Sequence, residues 1–137
     1  MNLRDYLNKN DLYAAAAGAE IVELREGYSR AVMKVEKCHL NAGGVCQGGA
    51  LFTLADLALA AVMNSHRQLT LSLESNIMFI HSAIEGDVLT AVATETSNHH
   101  KIPYYEVKVY NQDNILVCSF TALAYRKNKE FPFDSLM

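Results

Sequence analysis

Gly48-Gly49-Ala50-Leu51-Phe52-Thr53-Leu54-Ala55-Asp56-Leu57-Ala58-Leu59-Ala60-Ala61-Val62-Met63 is a glycine pair followed by a run rich in alanine and leucine, with Asp56 as its only charge. Alanine and leucine are strong helix formers and no proline interrupts them. The run therefore predicts one helix from Gly48 to about Ser65. A helix that is apolar all round is a buried helix. A lone carboxylate in such a place is costly, so it must be paired, hydrogen-bonded or kept for chemistry. The run is also shorter than the ~20 apolar residues that cross a bilayer. It reads as the central helix of a soluble core, carrying one candidate acid or base about two turns from its start.

The elements on either side set the fold class. Residues 2–17 predict a short helix, with Gly18 as its stop. Ile21, Val22 and Leu24 precede a turn at Glu26-Gly27. Over 28–37, Ala31, Met33 and Val35 then alternate with Arg30, Lys34 and Glu36, as in a half-buried hairpin. Residues 38–47 form a loop before the helix. After it, Leu69–Ser82 reads as a long strand, followed by Val88–Thr96, Tyr105–Tyr110 and Ile115 to about Arg126. Their turns lie at Glu85-Gly86, Ser97–Lys101 and Asn111–Asn114. Asn128–Met137 is expected to be a loosely held tail. No βαβ alternation occurs, so the sheet should be mainly antiparallel. The expected class is α+β, in one domain over 1–137.

Composition narrows the function. Half of the 137 residues are hydrophobic, a fifth are charged and the net charge is −3. That is a globular balance, and it lacks the basic face of a nucleic-acid binder. Cys38, Cys46 and Cys118 are odd in number and form no C-x-x-C pair, which fits a reducing compartment rather than a disulfide framework. The opening residues contain no apolar signal segment. The expectation is a cytoplasmic protein with neither membrane nor nucleic-acid partners.

His39-Leu40-Asn41-Ala42-Gly43-Gly44-Val45-Cys46-Gln47-Gly48-Gly49, followed by the helix as far as Leu54-Ala55-Asp56, resembles the signature of the PaaI-type hotdog acyl-CoA thioesterases. That signature runs from an Asn, through His-Gly-Gly, to an Asp further along the helix. The order of strands and helix agrees over about residues 12–127. The hotdog fold is an antiparallel sheet wrapped around one long helix, as the elements already suggest. The resemblance implies that Asp56 is the catalytic carboxylate and that the Gly48 amide polarises the thioester carbonyl. It further implies that Asn41 places the thioester or water and that Ser72 lies near the attacking water. Gly49 and Thr53 complete the implied substrate contacts. It implies a homodimer, expected to assemble as a dimer of dimers, with its site between subunits. Coenzyme A enters as part of the substrate and no separate cofactor or metal is expected. One position departs from the signature: the family's His before Gly-Gly is Gln47. Gln donates and accepts hydrogen bonds but cannot shuttle a proton, which bears on turnover more than on substrate class.

The residues support this chemistry independently. Thioester hydrolysis needs a nucleophile and donors for a developing oxyanion. A helix N-terminus offers unpaired N–H groups and about half a positive charge, and glycine lets a substrate approach the backbone closely. Competing readings exist for each position. Asp56 could be a structural acid bonded to Thr53, Asn41 a loop former, and Ser72 structural. Cys46 near the helix start could be a nucleophile. His39, Cys38 and Cys46 could suggest zinc, but their spacing is irregular and no fourth ligand is evident. His100 and Lys101, in an exposed loop, are candidates to meet the phosphates of coenzyme A, with Arg126 and Lys127 as further candidates. Two other functions compete: a non-catalytic acyl-CoA binder, for which Gln47 speaks, and a hotdog dehydratase or hydratase. The latter needs a His paired with a carboxylate, and no His stands at position 47.

Overall fold

The computed structural model describes residues 1–137. Its elements are α1 (Leu3–Asn10), α2 (Leu12–Ala17), β1 (Glu20–Arg25), β2 (Tyr28–Lys34), α3 (Gly48–Met63), β3 (Gln68–Phe79), β4 (Val88–Ser97), β5 (Tyr104–Tyr110) and β6 (Leu116–Glu130). All strand pairs are antiparallel, in the order β1-β2-β4-β5-β6-β3. The expected α+β class and hotdog wrapping are both present. The single N-terminal helix is not: it divides at Asp11, whose carboxylate caps α2 by accepting from the Ala14 N–H at 3.0 Å. A side chain that competes for backbone donors breaks helices where it stands and starts new ones.

The inward residues of each strand, such as Ala31, Met33, Leu89, Ala91, Val107, Val109, Phe120 and Ala122, close over α3. Alanines at both surfaces let the helix lie close to the sheet, and the Ser29 hydroxyl ties the two together by donating to the Ala58 carbonyl oxygen at 2.6 Å. The far end of α3 is also fixed. Asn64 donates to the Ala60 carbonyl and accepts from the Thr70 N–H at 2.9 Å each. Ser65 bridges the Val62 carbonyl and the Gly27 N–H. The helix is not buried all round, however. Gly49 is exposed, and Thr53, Asp56 and Ala60 are half-buried along one outward strip, the face with the helix period of 3.6 residues.

β3 is an edge strand, paired only with β6, and Leu71, Leu73, Met78 and Phe79 on it are exposed. The last strand continues past Arg126 to Glu130, and the tail beyond it is held. Backbone N–H groups of Leu3 and Arg4 donate to the carbonyls of Ser135 and Leu136 at 3.0 Å each. Tyr6 packs on Phe131 and Phe133 with ring centroids 5.9 and 5.1 Å apart. These aromatics give the tail an apolar seat that its polar neighbours conceal in the sequence.

Removing residues 131–137 strips three half-buried apolar side chains, Phe131, Phe133 and Leu136, from the core margin. At about half of ~1.5–3 kcal/mol each, the shortened chain should lose roughly 2–4 kcal/mol. Urea unfolding of the two forms measures the difference, and an unchanged midpoint would contradict a packed tail.

Candidate active site

The loop before α3 is built by its own side chains. The Asn41 amide oxygen accepts from the N–H groups of Gly43 at 2.9 Å and Val45 at 3.2 Å, and the backbone of Asn41 bonds with that of Val45. Asn41 is thus a loop former through its amide oxygen. Gly44 turns the chain with φ of +81°, a region that glycine enters without cost. His39, buried beneath the loop, accepts at Nδ1 from the Glu36 N–H at 2.9 Å and bonds through Nε2 to the Ala17 carbonyl oxygen at 2.7 Å. A backbone N–H only donates and a carbonyl only accepts, so this geometry assigns the neutral tautomer with its proton on Nε2. Both ring nitrogens are occupied in bracing α2 against the loop. No cluster of three or more His, Cys, Asp or Glu side chains could hold a metal ion.

At the start of α3, Gln47 is the N-cap residue but its side chain makes no capping bond. The first amides of the helix are therefore not closed off by a cap. At Gly48 a Cβ would lie 2.7 Å from the Phe79 ring, an exposed side chain that would have to move aside. At Gly49 it would lie 2.6 Å from the Gln47 side-chain oxygen. Cys46 is buried and its thiol is pushed up to about 11, by burial first and by Asp87 second. That environment opposes the thiolate and removes Cys46 as a nucleophile.

Asp56 lies on the outward strip of α3. Its carboxyl is held above the usual carboxylate range, first by burial and then by the negative charge of Asp11. The Thr53 hydroxyl does not bond it, because it donates to the Gly49 carbonyl oxygen at 2.9 Å. That corrects the structural pairing of Asp56 with Thr53 and leaves the carboxylate available.

The candidate residues are distributed over three clefts. Gln47, Gly49 and Thr53 line one of about 390 Å³ with Tyr13, Ala16 and Leu40. Asn41 and Gly48 line a second of about 320 Å³, beside Phe79 and Ser82. His100 and Lys101 line a third of about 290 Å³ with Arg126 and Lys127. Asp56 and Ser72 line none of these, and Ser72 is exposed on β3. The sequence reading missed the pair His66–Glu95, where Nε2 lies 2.9 Å from a carboxylate oxygen. The two residues are far apart along the chain, His66 in the turn after α3 and Glu95 on β4, and only the seating of the helix on the sheet unites them.

The raised Asp56 fixes the sign of a stability effect. The native state binds this proton more tightly than the unfolded state, so the ionised carboxylate costs stability above its unfolded value near 3.8. Asp56→Asn should raise the melting temperature at pH 7.5, with the advantage fading as the pH falls toward 3.8. Thermal unfolding at both pH values checks it, and a variant less stable at pH 7.5 would refute the assignment.

The arrangement can be set beside known proteins. Residues 43–118 match the family model described as the thioesterase superfamily. A protein of Archaeoglobus fulgidus, named in the esterase class, is 42% identical over 130 residues, covering 95% of this chain and 84% of that one. The acyl-coenzyme A thioesterase PaaI of Escherichia coli is 32% identical over 118 residues, covering 86% and 84%. A solved structure of the E. coli PaaI protein superposes with a TM-score of 0.90 at 30% identity, covering 93% of each chain. A hypothetical thioesterase from Streptococcus pneumoniae, solved with coenzyme A, gives 0.82 at 26% identity, covering 90% and 98%. Sequence, strand order and central helix agree throughout, and the chain belongs to the thioesterase superfamily as a PaaI-type hotdog protein.

Proposed function

We propose that this protein hydrolyses acyl-CoA thioesters to the free acid and coenzyme A. The observation that carries the reading is a single helix presenting two complementary groups: an uncapped N-terminus at Gly48 and an unpaired carboxylate at Asp56 whose proton affinity burial raises. The Gly48 N–H and the positive end of α3 receive the carbonyl oxygen as it gains charge. One such donor is worth ~10²–10³ in rate. Asp56 takes a proton from water as the water oxygen attacks the carbonyl carbon. Its raised proton affinity suits a general base. The tetrahedral adduct then collapses, the C–S bond breaks and the thiolate leaves to be protonated. Direct attack by Asp56, giving a mixed anhydride, is the alternative route to the same products.

Eight residues of helix separate Gly48 from Asp56, about 12 Å at 1.5 Å per residue. One carbonyl cannot touch both in a single chain. A second subunit resolves this, with Gly48 and Asn41 of one chain facing Asp56 of the other. The edge of β3 supports such a pairing: it is a 12-residue strand bonded to β6 on one side only, with exposed Leu71, Leu73 and Met78. An open apolar edge of that length is a template for another strand. We assign the protein as a homodimer through β3 that assembles further into a dimer of dimers, with Ser72 near the junction. The Asn41 NH₂ and Gln47 side chain position the thioester. The cleft of Gly49, Thr53, Tyr13, Ala16 and Leu40 receives the acyl group. His100 and Lys101 meet the phosphates. The free cysteines suit a cytoplasmic setting.

Release of free thiol from short, medium, long and aryl acyl-CoAs is the test. Hydrolysis of at least one class should fall by ~10²–10⁴ in kcat for Asp56→Asn. Binding of acyl-CoA without thiol release would leave a binding module and trace the loss to Gln47, with Gln47→His as the variant that regains turnover. Sedimentation equilibrium should give a mass two or four times the 15.2 kDa of the chain. A monomer that turns over would refute the shared site.

A further inference from the structure

Gly48 carries no side chain, yet its backbone does not call for a glycine: its φ is not positive. The space left by the missing side chain is taken by the ring of Phe79. A Cβ on Gly48 would have three ring atoms as its nearest neighbours, at 2.7, 3.0 and 3.3 Å. The ring thus packs directly on the backbone at the start of α3. Gly48 is half-buried, whereas Gly49, with no ring over it, is exposed. Neither the Gly48 nor the Gly49 N–H meets an acceptor within the chain, as expected for the first amides of an uncapped helix.

The residue that supplies the ring is fixed in its backbone and loose in its side chain. Phe79 ends β3, in register with Cys118. The next two N–H groups, of Ile80 and His81, both donate to the Val117 carbonyl oxygen, at 2.9 and 3.1 Å. Side chains two apart share one face of a strand, and Ile77, two residues earlier, packs on the core. Phe79 continues that face beyond the core, where only a glycine lies beneath it. It stays 56% exposed and stacks on no other aromatic ring. The ring can therefore swing off Gly48 by side-chain rotation alone. Exposed side chains change rotamer in picoseconds to nanoseconds, so such a motion does not limit turnover.

We infer that Phe79 is a movable cover on the oxyanion donor. In the empty site its ring shields the Gly48 amide from water, and it turns out into solvent as the thioester carbonyl takes that amide. A donor kept from water and left without a partner is costly until an acceptor reaches it. The cover thus favours binding of the carbonyl: the substrate displaces a lightly held ring instead of a hydrogen-bonded water. This rests on the thioesterase reading for the identity of the acceptor and extends it by one residue, which gates the site.

Amide exchange with water, measured by magnetisation-transfer NMR, reads the cover without catalysis. In the wild type the Gly48 amide should exchange about tenfold more slowly than that of Gly49. Phe79→Ala should remove the difference. Gly48→Ala, which keeps the ring but pushes it aside, should speed exchange at position 48 as well. Exchange at position 48 that neither variant alters overturns the cover. Movement is read by fluorine NMR with 4-fluorophenylalanine at position 79. The ligand is an acyl-CoA analogue in which a methylene replaces the thioester sulfur, so that the carbonyl stays and the scissile bond is gone. Its binding should shift the resonance, and an unmoved resonance at saturation overturns the opening. In steady-state kinetics Phe79→Ala should raise KM by about threefold or more and leave kcat within about twofold, because the ring acts on the empty site. A fall in kcat at unchanged KM would instead place the ring in the transition state and overturn the cover. Variant-dependent exchange with neither analogue binding nor thioester hydrolysis upholds the shielding while the thioesterase reading fails.

Discussion

Everything in this protein hangs on the seating of α3 in the concave face of one antiparallel sheet. The contact is close because alanines meet on both surfaces: Ala55, Ala58 and Ala61 on the helix, and Ala31, Ala91, Ala93, Ala122 and Ala124 on the strands. Small side chains forgo contact area but permit the short Ser29–Ala58 hydrogen bond, which fixes both the rotation and the translation of the helix. With the C-terminal end tied by Asn64 and Ser65, the N-terminus has one possible position. Such rigidity suits the oxyanion donor proposed at Gly48, because the value of such a donor lies in not having to reorganise.

The same seating explains why the outward strip of α3 is polar at two positions only. Phe52 turns toward the sheet and stacks edge-on against Phe120. α2 covers the other flank. Between them, Asp56 is half sheltered, enough to raise its proton affinity and too little to need an internal partner. Asp11 has a part in both arrangements: it caps α2, which walls the cleft, and its charge disfavours ionisation of Asp56. His39 then couples the wall to the loop that carries Asn41, since its two nitrogens reach Ala17 on one side and Glu36 on the other.

The parts of this structure legible in the sequence are those with a local cause. The glycine pair, the apolar run and its single carboxylate announce α3 and Asp56 together. The alternation of Ala31, Met33 and Val35 announces β2. The signature residues place Asn41 and Gly48 at the start of the helix. The division of the first helix was equally local, since Asp11 is a capping residue, but the surrounding leucines and alanines outweighed it. Non-local facts were hidden. Nothing in Gln68–Phe79 says that it pairs with β6 and takes an edge instead of entering the meander. The tail is held by Tyr6, which lies more than a hundred residues away. Arg126 occupies an inward position of β6, in phase with buried Ala122 and Ala124. The strand period could have marked it as a buried cation, had the charge not suggested a surface residue.

Three features of the single chain are incomplete in the same way. The N-terminus of α3 at Gly48 and the Asp56 carboxylate are about 12 Å apart along one helix, at 1.5 Å per residue. The basic cleft and the Asn41–Gly48 cleft stand at opposite ends of β3. The edge of β3 itself leaves its outer backbone groups unpaired. Each of these is a gap in the single chain: a carboxylate without a partner, a basic cleft far from the loop before α3, a strand with a neighbour on one side only. The homodimer proposed above, with β3 paired antiparallel to a second copy, would answer them together, because reversing the strand exchanges its ends.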